Sequence, residues 1–216
     1  MELKPTTMIF KMNLAKQTML PTFLKRLRGG YQGEPSLFDR ISSDDLIFAF
    51  FPCTRFEARV PLLFRGQATQ QKSWNTEKKL EYSITLQNEL TELYVLLCKM
   101  VIVAIRKGLK LVIENPYTQP HYLTTYWCIQ PTFVDKDRTK NGDYYKKPTQ
   151  YWFIGCAPKN NLVFEPLEYV KKRIIADVKG TCQTSRKTER SMIHPQYADR
   201  FIRQYILDEE IWKDKS

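Results

Sequence analysis

The chain has 216 residues, 43% of them hydrophobic and 26% charged, which fits one soluble globular domain long enough to bury its own core. Its formal net charge of +11 favours a polyanionic partner, nucleic acid first, although a solvated basic surface gives the same balance. The five cysteines are widely spaced, which argues against a zinc site and a disulfide framework and predicts a cytoplasmic protein. The longest apolar stretch, residues 95–105, is too short to span a membrane.

The first 42 residues form a poorly defined N-terminal segment. Residues 8–27 mix apolar and basic side chains and predict one helix, with Pro21 as a break or a first-turn residue. The glycines at positions 29, 30 and 33 mark a loop that would suit a phosphate or a nucleoside. No clear strand precedes these glycines and no clear helix follows them, so the motif is weak.

A short apolar run, residues 46–51, predicts a buried strand that ends at Pro52. Cys53 therefore follows the carboxyl end of a strand, where ligands gather in an open α/β sheet. Residues 55–75 are polar and rich in arginine and glutamine. They predict either a mobile loop that closes over a substrate or a plain surface connection.

Residues 76–107 predict a long helix, because apolar side chains recur at helical spacing and Gly108 follows as a stop. Residues 109–113 then predict a second strand, which places Glu114 at its carboxyl end. A strand, a crossover helix and a strand form the unit of a parallel sheet. Cys53 and Glu114 are thus expected at one edge of the sheet.

The second half of the chain predicts a turn at Asn141-Gly142, a strand over residues 150–156 and a final helix over residues 195–212. Residues 170–190 carry seven basic and two acidic side chains and are expected to be exposed. The whole predicts a single α/β domain spanning 1–216, with 157–216 as a basic C-terminal segment that ends in a helix.

A thiol and a carboxyl at one sheet edge predict covalent attack assisted by an acid. Cys53 has the alternative of being a small buried hydrophobe, and Glu114 of capping backbone amides or pairing with an arginine. His121 and His194 are candidate general bases, or ordinary loop and cap residues, because neither belongs to a recognisable triad spacing.

Three motifs occur in a characteristic order. They are Phe51-Pro-Cys-Thr54, Glu114-Asn-Pro116 and Gly142-Asp-Tyr-Tyr-Lys-Lys-Pro-Thr-Gln-Tyr-Trp-Phe153. In this order and spacing the chain resembles the cytosine carbon-5 DNA methyltransferase family, in particular its short, divergent phage-type and mobile-element members. Residues 189–198 resemble a late segment of those short members, and the resemblance covers roughly residues 44–206.

The resemblance implies a shortened Rossmann-like methyltransferase fold, with a mostly parallel sheet flanked by helices. It implies that Cys53 adds to ring carbon 6 of a flipped cytosine in DNA and that Glu114 contacts ring nitrogen 3 and the exocyclic amine. S-adenosylmethionine would then methylate ring carbon 5. The implied substrate-binding residues are Pro52, Thr54, Arg55, Asn115, Pro116 and Lys147. Arg59, Arg65 and Lys146 are further candidates for holding phosphates.

The chain departs from the family pattern at several points. The strand and Phe-x-Gly-x-Gly loop that seat the cofactor are not visible in residues 1–42, and no large target-recognition domain is present. Thr54 replaces a common glutamine, Pro116 a common valine, and Lys147 an arginine. The sequence leaves three interpretations: a truncated product, a subunit whose cofactor half a second chain supplies, or a non-catalytic nucleic-acid-binding relative.

Overall fold

The computed structural model of the protein describes residues 7–11, 37–57, 59–167 and 192–208. Within them the strands are β1 (Thr7–Lys11), β2 (Leu46–Phe50), β3 (Lys110–Pro116), β4 (Phe133–Asp135) and β5 (Thr149–Ile154). The α-helices are α1 (Leu37–Arg40), α2 (Val60–Phe64), α3 (Thr76–Arg106), α4 (Tyr122–Tyr126) and α5 (Pro195–Tyr205). Two short 3-10 helices span Thr69–Gln71 and Arg138–Asn141.

The strands form one open sheet in the order β1-β2-β3-β5-β4. β1 and β3 both pair with β2 in parallel, and Phe50 is the register partner of Glu114. β5 runs against β3. Gly155 after β5 lies beside the carbonyl of Leu109 before β3, whereas Gln150 near the start of β5 donates to the carbonyl of Pro116 at the end of β3. The sheet is therefore mixed, and the α/β class is confirmed.

β1 replaces the start of the helix that the sequence predicts over residues 8–27, so that prediction is wrong for residues 8–11. The segment contains Thr7, Ile9 and Phe10, which are residue types that favour extended backbone. Pairing with β2 along five residues then outweighs the weak local preference for a helix. The remainder of that helix, and the glycine loop at 29–33, lie outside the described residues.

The long helix α3 is confirmed within one residue of its predicted end. The side chain of Asn75 accepts a hydrogen bond from the amide of Lys78 at 2.9 Å and begins the helix. Gly108 ends it with a φ of +64°, a conformation that glycine adopts without strain. Its buried residues include Leu86, Leu90, Leu93, Leu97, Val101 and Ala104, which are the predicted stripe. The helix thus returns the chain so that β3 lies parallel to β2.

Other boundaries differ from the sequence prediction. β3 extends through Pro116, so Glu114 and Asn115 lie within the last three residues of the strand, whereas the sequence predicts them just after it. Residues 55–75 contain α2 and a 3-10 helix, so they are not one long loop. The basic segment 170–190 lies outside the described residues, and the description of the last helix covers Pro195–Tyr205.

Backbone contacts divide the described residues into two compact units. The first contains the residues up to Phe133 together with Gln150–Cys156, and the second contains Val134–Thr149 and the residues from Ala157 onward. The core of the first unit packs α3 against the sheet through Leu96, Leu97, Leu111 and Ile113, all fully buried. In the second unit the buried Arg138 pairs with Asp143.

Gly155 tests the packing of β5 against the start of β3. A Cβ at this position would lie 2.5 Å from the carbonyl oxygen of Leu109, and the φ of +68° is unfavourable for alanine. We expect Gly155→Ala to lower the free energy of unfolding by about 1–3 kcal/mol more than Gly108→Ala, whose Cβ would meet nothing within 4 Å at a similar φ. Urea unfolding of both variants measures the difference, and equal losses would contradict the close contact.

Candidate functional site

Cys53 is a half-buried thiol in the turn that follows β2. Its Sγ donates a hydrogen bond to Oε1 of Glu57 at 2.9 Å. The turn itself is closed by the amide of Phe56, which donates to the carbonyl of Cys53 at 2.8 Å. The sulfur is therefore not enclosed in apolar packing, and a carboxylate stands ready to accept its proton.

Glu114 lies at the carboxyl end of β3, beside β2. It is only 5% exposed, and its Oε1 has no hydrogen-bond partner among the residues that the structure describes. A buried carboxyl oxygen without a partner costs on the order of 1–3 kcal/mol. Such a cost is typical of a group whose partner is a ligand, since a donor in the ligand then satisfies the buried atom.

Asn115 ties the end of β3 to the segment that precedes Cys53. Its fully buried side-chain amide donates to the carbonyl of Phe51 at 2.8 Å. The amide of Phe51 in turn donates to the carbonyl of Glu114 at 3.4 Å. Asn115 and the candidate acid Glu114 thus fix Phe51, the residue from which the chain continues to Pro52 and Cys53.

His121 extends this buried network. Oδ1 of Asn115 lies 3.2 Å from Nε2 of His121, and Nε2 of Gln150 lies 3.2 Å from Nδ1 of the ring. Because the side-chain nitrogen of Asn115 donates to Phe51, the atom that faces the ring is Oδ1, which accepts a hydrogen bond from the Nε2–H of His121. Nδ1 then accepts from the amide of Gln150, which requires a neutral ring. Burial acts in the same direction and lowers the pKa of His121 to about 4.

Gln150 completes the network from β5. Its oxygen accepts a hydrogen bond from the hydroxyl of Thr124 at 3.0 Å, and its nitrogen donates to the carbonyl of Pro116 at the same distance. Hydrogen bonds therefore connect β3, α4 and β5 next to the candidate site. His121 serves this network as a structural residue, so the alternative of an ordinary buried histidine is the one that its contacts favour.

The turn that carries Cys53 has two further attachments. The guanidinium of Arg55 pairs with the carboxylate of Glu89 on α3. The amide of Tyr122 at the start of α4 donates to the carbonyl of Phe56 at 2.9 Å. Arg55, predicted to hold a phosphate or a base, is therefore engaged with a carboxylate of its own chain.

The remaining predicted site residues divide between the two units. In the first unit Pro52 and Pro116 are half-buried, Thr54 is exposed, and Arg59 and Arg65 are exposed. The second unit contains Lys146, which is exposed, and Lys147, which is half-buried. His194 also belongs to the second unit, where it accepts from the amide of Gln196 at 3.3 Å and begins α5.

Sequence reasoning missed Glu57 and Gln150. Glu57 follows Cys53 by four residues and meets the thiol only because residues 53–56 form a tight turn, which the sequence did not reveal. In the sequence, Gln150 is only the first residue of a predicted strand. A polar residue near the start of an otherwise apolar strand weakly indicates a buried hydrogen bond, and it is the signal in the sequence that points to Gln150.

Comparisons with models of protein families, with curated proteins and with solved structures give no match to this chain. Among the described residues no helix is long and apolar enough to cross a membrane. No group of three or more potential metal ligands occurs in that part of the chain either.

His121 predicts a dependence of stability on pH. Its pKa is about 4 in the folded protein and about 6.5 when unfolded, so the unfolded chain binds the proton more readily between these values. The stabilisation is complete above pH 6.5 and is lost as the pH falls toward 4. We expect the free energy of unfolding to fall by about 2 kcal/mol between pH 7 and pH 5 from this residue alone.

Urea unfolding at several pH values measures this slope. His194→Gln, the matched control at the other histidine, should keep the slope, and His121→Gln should flatten it. An NMR titration in which His121 showed an ordinary histidine pKa would contradict the buried neutral ring.

Proposed function

We propose that the chain is a DNA (cytosine-5)-methyltransferase-like protein in which Cys53 attacks a flipped cytosine. The observation that carries this proposal is a half-buried thiol bound to one carboxylate, at the same sheet edge as a second, buried carboxyl with an unsatisfied oxygen. A nucleophile, a base for its proton and an acid for the substrate are the parts that addition to a pyrimidine ring needs. The shortened Rossmann-like fold belongs to the same proposal, supported by the parallel strands β1, β2 and β3.

Glu57 gives the thiol its reactivity in this scheme. Sγ of Cys53 forms a bond to ring carbon 6 while its proton passes to Oε1 of Glu57, with which it already shares a hydrogen bond. The electron pair of the carbon 5–carbon 6 double bond moves toward carbon 5. The turn holds the sulfur in place because Asn115 and Glu114 fix Phe51 on either side of its peptide.

Glu114 takes the developing charge. One oxygen shares its proton with ring nitrogen 3, and the other accepts from the exocyclic amine, which satisfies the buried Oε1. A uracil ring carries a proton on nitrogen 3 and an oxygen in place of the amine, so it mismatches both groups. The same carboxyl therefore stabilises the adduct and selects cytosine.

S-adenosylmethionine, when bound, would supply the methyl group that carbon 5 takes. The position of β1 supports a cofactor site in this chain, because the carboxyl end of β1 at Lys11 lies at the same sheet edge as Cys53. Residues 12–36 lie outside the described part, so no side chain is assigned to the cofactor. A solvent water would take the proton from carbon 5, and the electron pair of that C–H bond would restore the carbon 5–carbon 6 double bond as the sulfur leaves. Glu57 would then return to the thiolate the proton that it took from Cys53.

DNA is the proposed partner because of the net charge of +11 and the exposed cations Arg59, Arg65 and Lys146. The base must leave the duplex to reach a nucleophile at a sheet edge, which requires phosphate contacts on either side of it. A non-catalytic nucleic-acid-binding relative is the competing function, and only the chemistry of Cys53 separates the two.

Trapping on DNA that contains 5-fluorocytosine tests the proposal. Fluorine cannot leave carbon 5 as a cation, so the adduct with Cys53 persists when S-adenosylmethionine is present. We expect a covalent protein–DNA band in denaturing electrophoresis, abolished in Cys53→Ser and unchanged in Cys128→Ser, a matched control at an exposed cysteine. DNA binding without any adduct would overturn the proposal in favour of the binding relative.

Removal of the base gives an independent prediction. Glu57→Ala removes the carboxylate that accepts the hydrogen bond of the thiol, so adduct formation should slow by about 100-fold or more. Added acetate should restore part of the rate by acting as an external carboxylate, and should not accelerate the wild type. A variant that reacted at the wild-type rate would exclude Glu57 from proton transfer, since the hydrogen bond would then be incidental.

A further inference from the structure

The long helix α3 has a second apolar face, opposite in direction to the one that packs on the sheet. Five aliphatic side chains on it are exposed, and their exposed fractions are 62% for Leu80, 63% for Ile84, 38% for Val95, 46% for Ile102 and 59% for Ile105. Single exposed aliphatic residues are ordinary, whereas a row of them on one helix marks an interaction surface.

These residues lie on one straight line along the helix. At 100° per residue, all five fall within about 80° of arc, together with Gln87, Thr91 and Cys98. The spacing repeats every eleven residues, as from Leu80 through Thr91 to Ile102 and from Ile84 to Val95. An eleven-residue period follows an almost straight helix, so the face stays in line for about 37 Å.

The exposed face of one α3 helix matches the same face of a second α3 helix that runs in the opposite direction. The midpoint of Leu80 and Ile105 lies between residues 92 and 93, and the midpoint of Ile84 and Ile102 is residue 93, so the two pairs share nearly the same centre. In an antiparallel pair of two α3 helices, the exposed aliphatic residues at one end would therefore meet those at the other end. The polar Gln87 and Thr91 would meet Cys98 and Val95.

Charge along one flank of the row has the same symmetry. Glu77 and Glu81 are exposed on the flank in the first half of the helix, and Lys99 and Arg106 lie on the same flank in the second half. A two-fold axis that pairs the helices antiparallel places Glu81 of one copy beside Arg106 of the other. Glu92, near the middle, would lie beside Glu92 of the second copy, with Lys99 of that copy about 8 Å away along the helix axis.

We infer that the exposed face of α3 is the interface of an antiparallel homodimer, in which Ile84 of each copy packs on Ile102 of the second copy. The inference does not depend on the proposed chemistry, because none of these residues belongs to the candidate site. One helix pair gives an interface at the small end of the range for specific assemblies. The dissociation constant is therefore expected on the order of micromolar.

Sedimentation equilibrium of the full chain, from low to high micromolar concentration, tests the dimer. Wild type should convert from monomer to dimer in this range. Ile84→Glu and Ile102→Lys should each weaken association at least about tenfold, because a charge would be buried against an aliphatic side chain. Their combination should recover much of the loss, because opposite charges then face each other in both copies. Leu62→Glu, an exposed aliphatic on α2, is the matched control and should associate like the wild type.

A wild type that stays monomeric at every concentration would overturn the inference, including the case in which some other protein covers the face. A dimer that neither single variant weakens would place the interface elsewhere. Two weakened single variants without recovery in the combination would overturn the antiparallel register. Circular dichroism checks that each variant is folded, which the exposure of the substituted residues leads us to expect.

Discussion

The candidate site depends on one buried side-chain amide, that of Asn115. Its nitrogen holds the carbonyl of Phe51 and its oxygen holds the ring of His121, so one residue joins β2, β3 and the start of α4. Each group left unpaired by its loss would cost about 1–3 kcal/mol in a dry interior. Asn115 thus satisfies two buried groups that a valine or isoleucine at this position would leave unpaired.

The strand pairing next to Asn115 and the turn after β2 place the other residues of the candidate site. β3 is parallel to β2, so both strands deliver their last residues to one edge, and the register places Glu114 beside Phe50. The turn after β2 then brings Cys53 against Glu57. The two carboxyl groups at this edge have different surroundings: Glu57 is half-buried and hydrogen-bonded to the sulfur, whereas Glu114 is almost fully buried and one of its oxygens has no partner among the described residues. Different environments assign different roles to the same functional group.

Much of the first unit follows from sequence patterns because its elements are long or strongly periodic. α3 has an apolar stripe over many turns, with a capping residue at one end and a glycine at the other. The apolar run before Pro52 predicts a buried strand. β1 was missed because five residues without a clear alternation become a strand only by pairing with β2. The ion pair of Arg55 with Glu89 was missed for a similar reason, since 34 residues separate two partners that only the fold brings together. Those contacts depend on tertiary structure, which no local signal carries.

The attachment of the Cys53 turn at three points has a consequence for binding. Asn115, Glu89 and Tyr122 hold residues 51–56 from three different elements, so the backbone of this segment is ordered when the protein folds. Ordering one residue costs about 1–2 kcal/mol of conformational entropy, and here that loss belongs to folding. In the proposed function, an incoming cytosine ring would therefore meet a preorganised thiol, and its affinity would not be reduced by the need to immobilise the peptide that carries Cys53.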